Sequence, residues 1–155
     1  LYISGLKRTY QSMASFIEEG IAFEKLPELN EISWGNREGQ VIDADGDRYY
    51  FKMINEWVSG NTDFAIDGGE SPKQVAERMR IAIKKIMSND AEREVLICMH
   101  GRALRILLTV LLNYPLSAMD MFDHKNLCLY ELENTGSFFK LNKYNETSHL
   151  SDLTF

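Results

Sequence analysis

Several things are scarce in this sequence, and each scarcity excludes something. Cysteine occurs twice in 155 residues, as Cys98 and Cys128. Each sits inside an apolar run, where a free thiol behaves as a small hydrophobe, so a disulfide framework is not expected. No apolar run approaches the length of a membrane span, and no secretory leader is recognisable. A reducing, cytoplasmic compartment fits both observations. Positive charge is in deficit, with 17 Lys and Arg against 23 Asp and Glu and a net charge of −6. Nucleic acid and anionic membrane need basic surface and are not expected as partners. No repeat, low-complexity tract or linker divides the chain, so residues 1–155 read as a single domain. An initiator Met is also missing, and Leu1-Tyr2-Ile3 reads as the end of a strand, so the expectation is a domain that is N-terminally incomplete.

What is present is an alternation of short apolar strands with helices, the pattern of an α/β sandwich, its sheet made mixed by an antiparallel edge from the last hairpin. The organising stretch is Glu94–Leu112. Its apolar run Val95–Met99 reads as a strand, His100-Gly101 as a turn, and Leu104, Leu107, Leu108, Leu111 and Leu112 as the buried stripe of a helix that Pro115 ends. Upstream, Ser4 is the expected cap of a helix with Leu6, Tyr10, Met13 and Ile17 on one side and Gly20 as its stop. Lys7 and Arg8 fall in that helix's first turn, where the macrodipole disfavours cations. They are either a solvated pair or a pair awaiting an anion.

Ile21–Leu26 contains a strand, and Leu29–Gly39 is an irregular loop in which Glu31 is either a buried acid or an ordinary carboxylate. Arg48–Val58 reads as a helix with Tyr50, Ile54 and Trp57 or Val58 inward, after a turn at Asp43–Asp47. The aspartates of that turn lack the closing glutamate of a calcium loop. Gly68-Gly69-Glu70-Ser71-Pro72 is sharper. Ser71 is an N-cap, Pro72 the first helical residue and Gln74 the third, a capping-box spacing before Val75, Met79, Ala82, Ile83 and Ile86. The charged remainder of that helix, Arg78 included, reads as a solvated face. Leu127–Glu133 and Ser137–Tyr144 form a hairpin about Asn134-Thr135-Gly136.

Three features converge on one chemistry. In open α/β sheets, ligands lie outside the carboxyl ends of strands, and the Arg8 and His100 turns are both strand-to-helix turns. Arginine grips phosphate oxygens as a fork, imidazole donates to them, and a carboxyl group such as Glu31 passes a proton to a leaving oxygen. Arg102 and Arg105 add positive potential nearby. Spacing alone leaves His100 open between a satisfied turn residue and a catalyst.

Four ordered blocks resemble the histidine phosphatase superfamily, the phosphoglycerate mutase-like group: Leu1–Ser12, which carries Ser4, Leu6, Arg8 and Gln11; Leu29-Asn30-Glu31 with Gly35 and Glu38-Gly39; Gly68-Gly69-Glu70-Ser71; and Met99-His100-Gly101. Asn126-Leu127-Cys128 and Asn145 with His149-Leu150 are similar to later blocks. The resemblance implies a three-layer α/β/α sandwich with a mixed, mostly parallel central sheet, and phosphoryl transfer through a phosphohistidine without metal or cofactor. Arg8 would hold the phosphoryl oxygens with Ser4 and the Gly101 N–H, Glu31 would be the acid and base, and His100 would stabilise the transferring charge.

The family's nucleophile is the histidine of an RHG motif, which this sequence lacks; His124 and His149 lie in other contexts. Hydrolysis of a small phosphomonoester is the expected reaction, since Ile32 follows Glu31 where mutases carry a basic residue. A mutase, and a catalytically inactive phosphate- or phosphoprotein-binding relative, are the alternatives. Oligomeric state, including a homodimer, stays open.

Overall fold

A computed structural model describes residues 1–41 and 44–151. Three short strands, β1 (Tyr2–Ser4), β2 (Glu24–Leu26) and β3 (Ile97–Cys98), form a parallel sheet in the order β2-β1-β3. β1 is the central strand and is wholly buried, as a strand paired on both edges and covered on both faces must be. β4 (Leu129–Asn134) and β5 (Phe139–Glu146) pair antiparallel as a second sheet, so the hairpin pairs with itself and does not extend the parallel sheet. Its turn is as expected: Gly136 takes φ +87° and donates its N–H to Asn134 Oδ1.

Five helices surround these strands: α1 (Lys7–Ser12), α2 (Ala14–Glu18), α3 (Ala44–Val58), α4 (Pro72–Met87) and α5 (Gly101–Leu111). The helix expected from Ser4 to Gly20 is broken at Met13, which leaves the helical region. Ser4 is the last residue of β1 and not a cap; Leu6 holds the N-cap position, without a side-chain bond. α3 begins earlier than expected. Ala44–Asp47 are helical, because an aspartate-rich start suits the positive end of a helix dipole, whereas Asp43 lies outside the described residues. Its buried residues are Met53 and Trp57, and Val58 is exposed.

α4 starts at the predicted capping box, with Gln74 N–H donating to Ser71 Oγ and Ser71 N–H to Gln74 Oε1. Its Val75, Ala76, Met79, Ala82 and Ile86 enter the same core as Leu29, Ile32, Trp57, Ala103, Ile106 and Met119. Val95 and Leu96, expected in the third strand, are largely exposed, and β3 is correspondingly short. The thiols of Cys98 and Cys128 are free and half-buried, and burial pushes the Cys98 thiol up. No helix among the described residues is long and apolar enough to cross a membrane.

Candidate active site

Two strand ends and one loop build the site. β1 ends at Ser4 and β3 leads to His100, and because the strands are parallel neighbours, both turns open on the same end of the sheet. His100 is 8% exposed. Its Nδ1 is 2.9 Å from Arg8 Nε, and its Nε2 is 2.8 Å from Ser4 Oγ. Donor accounting fixes the protons. The Arg8 Nε–H can only donate, so Nδ1 is an acceptor and the ring carries its hydrogen on Nε2, given to Ser4. Ser4 Oγ also accepts from Leu6 N–H and therefore donates to Thr9 Oγ1, 3.0 Å away, which donates on to Leu6 O. Burial above all, then the charges of Arg8 and Arg78, lowers the His100 pKa to about 4, consistent with this neutral ring.

Ser4, expected to touch phosphate, is corrected by this network. It is fully buried, and both its lone pairs and its hydrogen are committed inside the protein, so it orients His100. Arg8 is exposed beyond its Nε, with neither Nη bonded to another described residue, so its fork is presented to solvent at the strand ends. Gly101, expected in the turn with His100, is instead the first residue of α5.

Glu31 joins this group from the loop. Its Oε1 accepts from Ile32 N–H (2.9 Å) and Ala103 N–H (2.9 Å), and its Oε2 from Arg102 N–H (3.2 Å). The carboxylate therefore occupies the N-terminus of α5, the anion-favouring end beside His100. A residue 70 positions earlier supplies the cap that the helix lacks locally.

Arg78 holds the Glu31 loop, and sequence periodicity missed it. Rather than facing solvent, its side chain is 18% exposed. All five N–H donors are used: Nε to Glu70 Oε1 (2.8 Å), Nη1 to Glu28 O (2.6 Å) and Asn30 O (2.8 Å), Nη2 to Glu31 O (3.1 Å) and Glu70 Oε2 (2.9 Å). Burial pushes the Glu70 carboxyl up, but hydrogen bonds from Arg78 and Ser33 N–H, with the charge of Arg78, outweigh it and leave the pKa below the usual range. The glycines of the motif have a steric reason. A Cβ at Gly35, where φ is +51°, would lie 2.3 Å from Asp67 O, and one at Gly69 would lie 2.6 Å from Ser33 O. Backbone packs on backbone there, and only glycine fits.

The two nearby arginines of α5 contribute less than expected. Arg102 and Arg105 both donate to Asp120 Oδ1, and Arg102 also bonds Tyr50 Oη and lies over the Trp57 ring at 5.5 Å. Their charge is shared with a carboxylate whose Oδ2 is buried without a partner among the described residues. His124, passed over in the sequence, rests its imidazole against Gly101, on a loop tied by Tyr144 Oη to Asp123 N–H and by Asn145 Oδ1 to Lys125 N–H. His149 bonds the Leu127 carbonyl on the hairpin side.

The chain is 28% identical over 134 residues to the probable phosphoglycerate mutase GpmB of Yersinia pestis (strain Pestoides F), covering 84% of this chain and 60% of the relative. The corresponding protein of Erwinia tasmaniensis is 26% identical over 133 residues, covering 81% and 60%. The chain thus spans about three-fifths of the length of these relatives. Among solved structures, a mycobacterial glucosyl-3-phosphoglycerate phosphatase in complex with inorganic phosphate superposes with TM-score 0.81 at 22% identity, over 95% of this chain and 76% of that one. The α-ribazole phosphatase of Shigella flexneri does so with TM-score 0.77 at 20% identity, over 94% and 72%. Those likenesses show the fold, the three-layer α/β/α sandwich of phosphoglycerate mutase-like proteins. The model of the histidine phosphatase superfamily (branch 1) matches residues 1–147, and the chain belongs to that superfamily.

Proposed function

We propose that this protein is a metal-independent phosphomonoesterase that transfers a phosphoryl group from a small substrate through a phosphohistidine intermediate to water. The observation that carries this reading is the convergence of the Arg8 fork, the His100 ring and the Glu31 carboxylate at one end of the parallel sheet. Each has a role its position supports. The free Nη groups of Arg8 are oriented to take two phosphoryl oxygens, as guanidinium does best. His100 lies beside them, and a proton on Nδ1 in place of the Arg8 contact turns that atom into a donor to the transferring group. The Arg8 fork, already charged and held through its Nε, is the fixed donor that stabilises charge as it develops, whereas His100 donates only once its ring is protonated.

Glu31 handles the other proton. Oε1 is committed to two N–H groups and Oε2 to one longer contact, so Oε2 is the oxygen free to protonate the leaving group and later to accept a proton from water. The nucleophilic histidine of the family's RHG motif has no counterpart in these 155 residues. The chain's own share is therefore binding, charge stabilisation and proton transfer. Ile32 after Glu31 favours hydrolysis over mutase transfer.

The test is turnover of p-nitrophenyl phosphate by the protein with its natural termini, in excess EDTA. Sustained release of nitrophenol is expected. Loss of activity on chelation, restored by a divalent metal, would overturn the mechanism; binding of phosphate without any turnover would favour a binding module.

A further inference from the structure

We infer that Arg78, braced by Glu70, is the positioning residue that sets the Glu31 carboxylate at the N-terminus of α5. The inference rests on the reading of Glu31 as the acid and base. Arg78 touches neither the Glu31 carboxylate nor Arg8; it grips the backbone on both sides of the acid. Its fork binds the carbonyls of Glu28, Asn30 and Glu31, which fixes the direction in which the Glu31 side chain leaves the loop. Leu29 and Ile32, the apolar residues that flank this grip, are buried, so the loop is held from both faces.

The grip reaches the other turn as well. Asn30, whose carbonyl Arg78 holds, accepts the Gly5 N–H on its side-chain Oδ1 at 2.8 Å, and Gly5 lies between Ser4 and Arg8. A Cβ at Gly5 would come within 3.1 Å of that same Oδ1. One guanidinium thus fixes the acid directly and the phosphate-facing turn through Asn30. Glu70 completes the brace by accepting two N–H groups of Arg78 and the Ser33 N–H, which ties the far end of the loop to the start of α4. A lysine at position 78 would offer three donors from one atom and no planar fork, so it cannot serve five acceptor contacts.

A misplaced acid has a kinetic signature that a loosened fold does not. Proton donation to the leaving oxygen matters for a poor leaving group and little for a good one. Arg78→Lys should lower kcat/KM on phenyl phosphate by about 10²-fold, the scale of a small misplacement. The loss on dinitrophenyl phosphate should be at least about tenfold smaller. Inhibition by inorganic phosphate, which feels Arg78 only through the Asn30 link, should weaken far less than turnover of phenyl phosphate, and Glu70→Gln should shift both substrates in the same sense by less. Equal losses on the two substrates with weakened phosphate inhibition would overturn the inference.

Glu31→Gln is the control for the reading beneath it. If that variant shows no leaving-group dependence, the role of Glu31 falls, and Arg78 is then judged without turnover. Amide hydrogen exchange in Arg78→Lys should rise at Ile32 and Ala103, the N–H groups bound to Glu31 Oε1, while the β4–β5 ladder stays protected. Unchanged exchange at those two amides would overturn the inference whatever the kinetics show.

Discussion

The two strand-to-helix turns of the site solve the same problem in opposite ways. After β1, α1 has no side-chain cap at its Leu6 N-cap position, although Ser4 Oγ takes the Leu6 N–H just before it, and Lys7 and Arg8 place positive charge at the positive end of α1. After β3, the chain supplies no cap of its own and again places a cation, Arg102, in the first turn, and Glu31 comes from a distant loop to take the Arg102 and Ala103 N–H groups. One turn is locally unfavourable and leaves its Arg8 fork exposed. The other is locally incomplete and is finished by an acid that also faces the site. The difference shows two fates of a helix terminus: one leaves a cation exposed and uncompensated, and the other is satisfied by a carboxylate borrowed from a distant loop.

That contrast breaks most sharply in catalysis. Arg8→Ala and His100→Ala should each lower kcat/KM on p-nitrophenyl phosphate at least about 10²-fold, the effect of removing one fixed donor, and steady-state kinetics on the purified variants decides it. Activity within a few-fold of the parent in either variant removes that residue from the site.

The next effect is on stability. His100 is neutral when folded, with a pKa of about 4 against 6.5 for a free imidazole, so the unfolded chain binds more protons between those values. Stability therefore rises with pH across this window, and the contribution is lost as pH falls from 6.5 towards 4, by up to about 3 kcal/mol. Urea unfolding at pH 7 and at pH 4 should show a smaller decline in His100→Gln than in the parent. Parallel declines would show that the ring does not carry the linkage.

The smallest effect separates the two turns as caps. Glu31→Ala should destabilise the fold by about 1 kcal/mol, because it strips acceptors from the first turn of α5. Lys7→Ala, at the exposed first turn of α1, should stay within about 0.5 kcal/mol. Thermal or urea unfolding of the two variants measures the difference, and equal values would mean that the Glu31 contacts contribute no more than a solvated charge.

Legibility followed the range of the interaction. The capping box at Ser71 and Gln74 and the Gly136 turn are set by neighbours within a few positions, and each was readable; α5 itself was readable too, but its buried side is Ala103, Ile106, Leu107, Leu108 and Thr109, not the expected stripe with Leu104, Leu111 and Leu112. Arg78 was misread because helical periodicity places it among charged neighbours; only the packing of the Glu28–Glu31 loop against α4 turns those neighbours into acceptors. Ser4 was misread for a related reason. A serine beside a helix start looks like a cap or a ligand, and the ring that consumes its lone pair lies 96 residues away.

By itself, the sequence determined the strand–turn–helix units, because apolar spacing, capping side chains and glycine positions act through local backbone geometry. It also carried the blocks around Arg8, Glu31 and His100 that resemble those of the histidine phosphatase superfamily. Only the tertiary structure decided which proton His100 holds, that Glu31 occupies the start of α5, and that Arg78 spans the loop between them. Those outcomes depend on which buried donors meet which acceptors, and in a desolvated interior that pairing is set by the packing of distant segments.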